Sequence, residues 1–211
     1  MNNEGRRITQ QEVNSSFIVH HSSFLRAFIA IHIAPALLDE LEKEQRRLKL
    51  EGVRWTRRDQ IHLTLKFLGD IPASAVGDLE AAIRRACQGV SEGPLHLTLE
   101  GLGCFPTPQR PSVVWVGVGG DVDALAALQA AIEKETAGLS EHGEKREFHP
   151  HLTIGRVRNV PFRELQRLGG QIQSAKLGTL GDWAATEVHL MQSQLLPEGA
   201  KHTSLASVGL Q

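Results

Sequence analysis

Tyrosine is absent from this 211-residue chain, aromatic residues make up only 5% of it, and there are just two cysteines, Cys87 and Cys104. Two thiols cannot build a disulfide framework, and they fall short of the four ligands of a tetrahedral zinc ribbon. A reducing cytoplasm is therefore the expected setting. An excess of either charge is missing too, with 23 Lys+Arg against 24 Asp+Glu and a sequence pI near 6.8. No global basic field exists to hold a long duplex nonspecifically, so a nucleic-acid partner would be small or gripped only at its end. No apolar run approaches the roughly 20 residues that span a bilayer. The start also lacks the basic region, apolar stretch and small-residue cleavage site of an export signal. The expectation is a protein with no membrane partner that is not exported by its N-terminus.

The length suits one large domain or two small lobes packed together. Residues 1–22 are polar, lack clear periodicity and contain the near-repeat "SSFIVHHSSF", so they read as a disordered extension, with His20 and His21 as solvated histidines rather than metal ligands. Residues 23–211 read as a single bilobal domain. "LRAFIAIHI" suggests a largely buried strand, and "PALLDELEKEQRRLKLEG" an amphipathic helix with Leu37, Leu38, Leu41 and Leu48 on its apolar stripe. A strand from Ile61 to Phe67 follows, broken at Gly69 and Pro72, and then a helix over "SAVGDLEAAIRRAC". Strands at "LHLTLEGL" and "SVVWVGV", a helix at "DVDALAALQAAIEKETAGL", a strand at "HLTIGRVR" and a short helix at "PFRELQRLG" continue the chain. Strands near "SAKLGTLG", "ATEVHLMQS" and "KHTSLASVGL" complete it. Without strict βαβ alternation, this mixture predicts an α+β fold with antiparallel sheets and flanking helices.

"HLTLKFLG" begins at His62 and "HLTIGRVR" at His151. The strand period of two places His62, Thr64 and Lys66 on one face, and His151 with Thr153 on one face of the other strand. Two such faces, one in each half of the chain, predict two lobes related by approximate twofold symmetry around a central cleft. Imidazole titrates near pH 6.5, so a pair can hold one neutral base and one protonated acid together. An in-line phosphoryl displacement needs that combination, with threonine hydroxyls donating to the non-bridging oxygens. A strained 2',3'-cyclic phosphate suits the scheme, which requires no metal. A third copy, "HLTLEG" at His96, reads as structural.

The surrounding residues resemble the RNA 2',3'-cyclic phosphodiesterase family, the 2'-5' RNA ligase-like proteins of the 2H phosphoesterase superfamily. The likeness runs from Leu25 to Leu210 through "LRAFIAI", "VRWTRRDQIHLTLKFLGDIP", "GLGCFPTPQRPSVVWVGV", "FHPHLTIGRVR" and "QSQLLPEGAKHTSL". The resemblance implies hydrolysis of RNA 2',3'-cyclic phosphate ends to 2'-phosphomonoesters, with 2'-5' ligation as the reverse reaction, and substrates that are RNA ends or small nucleotides. It maps the catalytic pair onto His62, as acid to the ribose 3'-oxygen, and His151, as base for water. Thr64, Thr153 and Arg156 become the phosphate-binding set. No cofactor, no metal and a monomer are expected. Strict alternation from His151 would put Gly155 rather than Arg156 on the catalytic face, so the strand must bulge or twist there.

Lys66 would support RNA about 13 Å along the strand from His62, and His149 would support His151. Trp55, Phe105 and Phe148 are candidate stacking residues for an unpaired base. Met191 and His202 stand where the family pattern leads one to expect aromatic residues. Two other readings use the same histidines: a metallohydrolase with His62, His149 and His151, and an RNA-end or cyclic-nucleotide binding module without turnover.

Overall fold

The computed structural model describes residues 24–90, 93–140, 147–197 and 199–210. The expected extension over residues 1–22, with His20 and His21, lies outside the described residues. Nine strands and four α-helices follow one another as β1 (Phe24–Ile31), α1 (Pro35–Leu48), β2 (Val53–Trp55), β3 (Leu63–Pro72), α2 (Val76–Gln88), β4 (Leu95–Phe105), β5 (Val113–Gly120), α3 (Val122–Glu135), β6 (His151–Val157), α4 (Phe162–Ser174), β7 (Gly181–Ala185), β8 (Glu187–Leu196) and β9 (Gly199–Gly209) among the described residues. None of their helices is long and apolar enough to cross a membrane.

Every strand pairing is antiparallel, in the order β7-β4-β5-β6-β3-β1-β8-β9 with β2 added to β6. The fold is α+β, and its sheet is two half-sheets meeting at one pair, Leu63 of β3 opposite Leu152 of β6. Both leucines are fully buried, each contributing about 1.5–3 kcal/mol through burial, so the seam is held from below while its other face stays open. β2 occupies the stretch of β6 beyond that pair, on the edge that β3 leaves free.

Helices α2 and α3 back the half-sheet of β3, β1, β8 and β9. Helices α1 and α4 back the other, so the helix from the first half of the sequence supports the strands of the second. α1 starts at Pro35, whose missing N–H costs nothing at a first-turn position, and it buries Leu37, Leu41 and Gln45 at fourfold spacing. A glutamine at the end of that apolar stripe requires a hydrogen-bonding partner.

Several boundaries differ from expectation, those of β3 and β7 among them. β3 does not stop at Gly69 but runs to Pro72, because a register shift beside Gly69, which has φ 74°, absorbs the irregularity. β7 forms at "GDWAA" rather than "SAKLGTLG", since Trp183 and Ala185 supply buried positions at strand spacing.

Candidate active site

His62 directly precedes β3 and His151 is the first residue of β6, so the seam brings both motifs to the same place in the fold. Continued by one residue each way, the Leu63–Leu152 register sets His62 across from Thr153 and His151 across from Thr64. Each imidazole then faces the other motif's threonine. Facing residues of an antiparallel pair lie about 5 Å apart and diagonal ones about 7–8 Å, a separation that fits a phosphoryl group between the rings. No protein partner engages the hydroxyl of Thr64 or Thr153 among the described residues.

Each motif threonine is followed by a β-bulge. Ala30 pairs with Thr64 and Ile29 with Lys66, leaving Leu65 as the extra residue. Trp115 pairs with Thr153 and Val114 with Gly155, leaving Ile154 as the extra residue. A bulged carbonyl leaves the regular ladder and needs another donor. Here two buried glutamines provide it: Gln45 of α1 donates to the Ile154 carbonyl at 2.9 Å, and Gln129 of α3 to the Leu65 carbonyl at 3.4 Å. The Thr56 amide also donates to Ile154 O at 2.9 Å. The approximate twofold symmetry extends from the strands to the hydrogen bonds that hold them.

The bulges decide which side chains enter the cleft. Paired residues on neighbouring strands share a face; Trp115 lies beside the His151 ring, and Val113, two residues before Trp115, pairs with Arg156. Arg156 therefore lies on the cleft face, as the required bulge allows. Gly155 turns instead toward the packed side, where a Cβ would come within 2.6 Å of Val53 Cγ1 and 3.0 Å of Trp55. In β3 the same device overturns an expectation. Lys66 is not in the cleft: it pairs with Ile29 on the buried face, where its ammonium lies 2.7 Å from the Glu133 carboxylate of α3. Phe67 takes the cleft position, 61% exposed and packed against Phe28. Phe67 and Arg156 each lie five residues beyond their motif histidine, as equivalents in the two lobes.

His62 stacks on Phe28 at 4.6 Å between ring centroids and meets the edge of His202 at 5.1 Å. Burial, and then the neighbouring His202 and His32, push its pKa down to about 3, while a hydrogen bond with the Gln60 backbone opposes that shift. His151 meets Phe105 edge-on at 5.0 Å, and burial lowers its pKa as well. Its Nδ1 lies 2.6 Å from the His149 carbonyl. A carbonyl can only accept, so Nδ1 carries the proton and Nε2 offers its lone pair. The His151 ring is thus held by the backbone two residues earlier. Both rings are neutral in the free protein at neutral pH.

A profile of the 2'-5' RNA ligase superfamily matches residues 36–195. The chain belongs to that superfamily. It is 31% identical to an RNA 2',3'-cyclic phosphodiesterase of Methanothermobacter thermautotrophicus, over 86% of this chain and 96% of that one. Another of the same description, from Aeropyrum pernix, is 33% identical over 71% of this chain and 82% of its own. The fold matches that of E. coli LigT with a TM-score of 0.70 at 23% identity, covering 89% of this chain and 98% of that one.

Within this 2'-5' RNA ligase superfamily member, the remaining candidates divide. Phe105 is in the cleft against His151, and His149 lies 6.4 Å from Phe105 between ring centroids. Trp55 is not, because it shares the packed face with Gly155; Phe148 packs against the main core. The His96 copy sits in β4, where its backbone N–H donates to Asp121 at 2.8 Å. Met191 and His202 both reach the first lobe's cleft face, where Met191, Phe28 and Ala30 form an apolar cluster separate from the main core. Trp115 escaped sequence reasoning; it lies flat over Gly103, where a Cβ would come within 2.2 Å of the indole. Among the described residues, no group of three or more His, Cys, Asp or Glu is placed to hold a metal ion.

Proposed function

We propose that this protein hydrolyses RNA 2',3'-cyclic phosphate ends to 2'-phosphomonoesters by a metal-independent, two-histidine mechanism. The observation that carries the reading is the seam, which sets two imidazoles on facing strands, each opposite a threonine whose hydroxyl has no protein partner among the described residues. The superfamily relatives described as RNA 2',3'-cyclic phosphodiesterases support it.

Nε2 of His151 takes a proton from water as the water oxygen bonds to phosphorus. The phosphorus–O3' bond breaks, and His62 gives its proton to the departing 3'-oxygen. The products are a 2'-phosphomonoester and a free 3'-hydroxyl. Thr64, Thr153 and Arg156 donate to the non-bridging oxygens as their charge grows, the role in which preorganised donors are worth most. His62 is unprotonated in the free protein, so the substrate supplies what it lacks: a phosphodiester anion in the cleft stabilises the imidazolium, and binding takes up a proton. The exposed Phe67 ring offers a stacking surface for an unpaired base. With the 5'-hydroxyl of a second RNA in place of water, the same attack on the cyclic phosphate breaks the phosphorus–O3' bond and leaves a 2'-5' phosphodiester and a free 3'-hydroxyl, which is 2'-5' ligation.

The reading is tested by incubating an RNA ending in 2',3'-cyclic phosphate with the protein and a chelator. The expected outcome is conversion to the 2'-phosphate alone. A 3'-phosphate product, or activity abolished by the chelator, would contradict it; stable binding without any product would favour an RNA-end binding module.

A further inference from the structure

Beside Arg156 stands a second arginine that the chemistry above leaves unused. Arg54 of β2 pairs directly with Arg156 of β6. Its neighbours Val53 and Trp55 both point to the packed side, where they would meet a Cβ on Gly155, so Arg54 points to the cleft face with Arg156. Both arginines are exposed, and neither meets a carboxylate among the described residues. Arg47, Arg57, Arg58, Arg84, Arg85 and Arg167 are each ion-paired; among the other described arginines, Arg54 and Arg156 are the one pair set directly opposite each other on neighbouring strands. Like charges directly opposite on neighbouring strands destabilise a sheet. In a chain with net charge −1, an uncompensated pair of this kind calls for an anion.

A cyclic phosphate held at His62, His151 and Arg156 accounts for one anion. β2 lies on the edge of β6 that faces the first lobe, so Arg54 stands within the inter-lobe opening, one strand spacing from Arg156. That spacing is about 5 Å, and an arginine side chain extends the reach by several more. The next phosphate of an RNA strand is separated from the terminal cyclic phosphate by a single nucleoside. We propose that Arg54 binds this upstream phosphodiester, so that the site takes the end of an oligonucleotide in preference to a nucleoside 2',3'-cyclic monophosphate. The inference rests on the hydrolytic reading above and names its substrate class.

The test compares a dinucleotide ending in 2',3'-cyclic phosphate with the matching nucleoside 2',3'-cyclic monophosphate. The wild type should favour the dinucleotide in kcat/KM. Arg54→Gln should shrink that preference by about tenfold to a hundredfold, the worth of one charge-assisted hydrogen-bonded contact. It should also flatten the salt dependence of kcat/KM for the dinucleotide by about 0.7 in logarithmic slope, the share of one single-strand phosphate. Arg54→Lys, which keeps the charge, should retain the slope. A preference and slope unchanged in Arg54→Gln would overturn the proposal. So would an equal loss on both substrates, which would place Arg54 on the scissile phosphate. If the wild type turned over neither substrate, the hydrolytic reading would fall, and fluorescence anisotropy with a labelled tetranucleotide ending in 2',3'-cyclic phosphate would still decide: weaker binding and a flatter salt slope in Arg54→Gln support the site, and equal binding removes it.

Discussion

His62→Ala and His151→Ala should each lower turnover of a 2',3'-cyclic phosphate end by roughly two to four orders of magnitude, the usual worth of a positioned acid or base. Their folds should survive, because both side chains lie at the cleft surface rather than in the main core; a native-like far-UV spectrum and a cooperative melt would establish that. The pH dependence should carry the same signature. kcat/KM reports the free enzyme, and the productive form needs His62 protonated and His151 neutral. With His62 pushed down to about 3 and His151 below its ordinary value, that form is most populated between the two. The kcat/KM profile should therefore be bell-shaped, peak below pH 6.5 and fall toward neutrality. In kcat the peak should move upward, since bound phosphodiester favours both imidazolium forms. Near-normal rates in both alanine variants, or a kcat/KM maximum above pH 7, would remove the two-histidine account.

Glu133→Ala should cost about 3 kcal/mol of folding stability, the lower end of what breaking a buried ion pair costs, because Glu133 is 23% exposed at its side chain. The cause is the charge left behind: the Lys66 side chain is only 2% exposed, and its ammonium would lose its carboxylate partner. Lys66→Met combined with Glu133→Ala should recover most of the loss, since an apolar side chain of similar length fills the site without a charge to desolvate. Urea unfolding of the wild type and the two variants measures both effects. A Glu133→Ala midpoint close to wild type would mean that the ammonium finds solvent, and the bulge at Leu65 would not be bringing Lys66 inside.

That bulge marks the limit of what the sequence made legible. Alternation in "HLTLKF" and "HLTIGR" was enough to place both histidines and threonines, because those residues precede either irregularity. Beyond Thr64 and Thr153 the side-chain parity reverses. Gly155 gave a warning in the second motif, and the position of Arg156 could be foreseen from it. The first motif has no glycine at Leu65 or Lys66, so period-two reasoning assigned Lys66 to the cleft and missed Phe67. Gln45 and Gln129 did carry a signal: each is a polar residue within a helix's apolar stripe, and a buried amide implies a partner, though not which carbonyl. Helices and strands were otherwise legible from periodicity. Their pairing across the seam was not, because Leu63 and Leu152 join by a long-range register that no local pattern encodes.

Replacing the 3'-oxygen of the cyclic phosphate by sulfur tests the division of labour most directly. A thiolate departs without needing a proton, so loss of the acid should cease to matter while loss of the base should still matter. On this substrate His62→Ala should regain most of its lost rate, and His151→Ala should remain slow. Rescue of His151→Ala in place of His62→Ala would exchange the two roles; rescue of neither would show that proton donation to the leaving oxygen is not what the histidines supply.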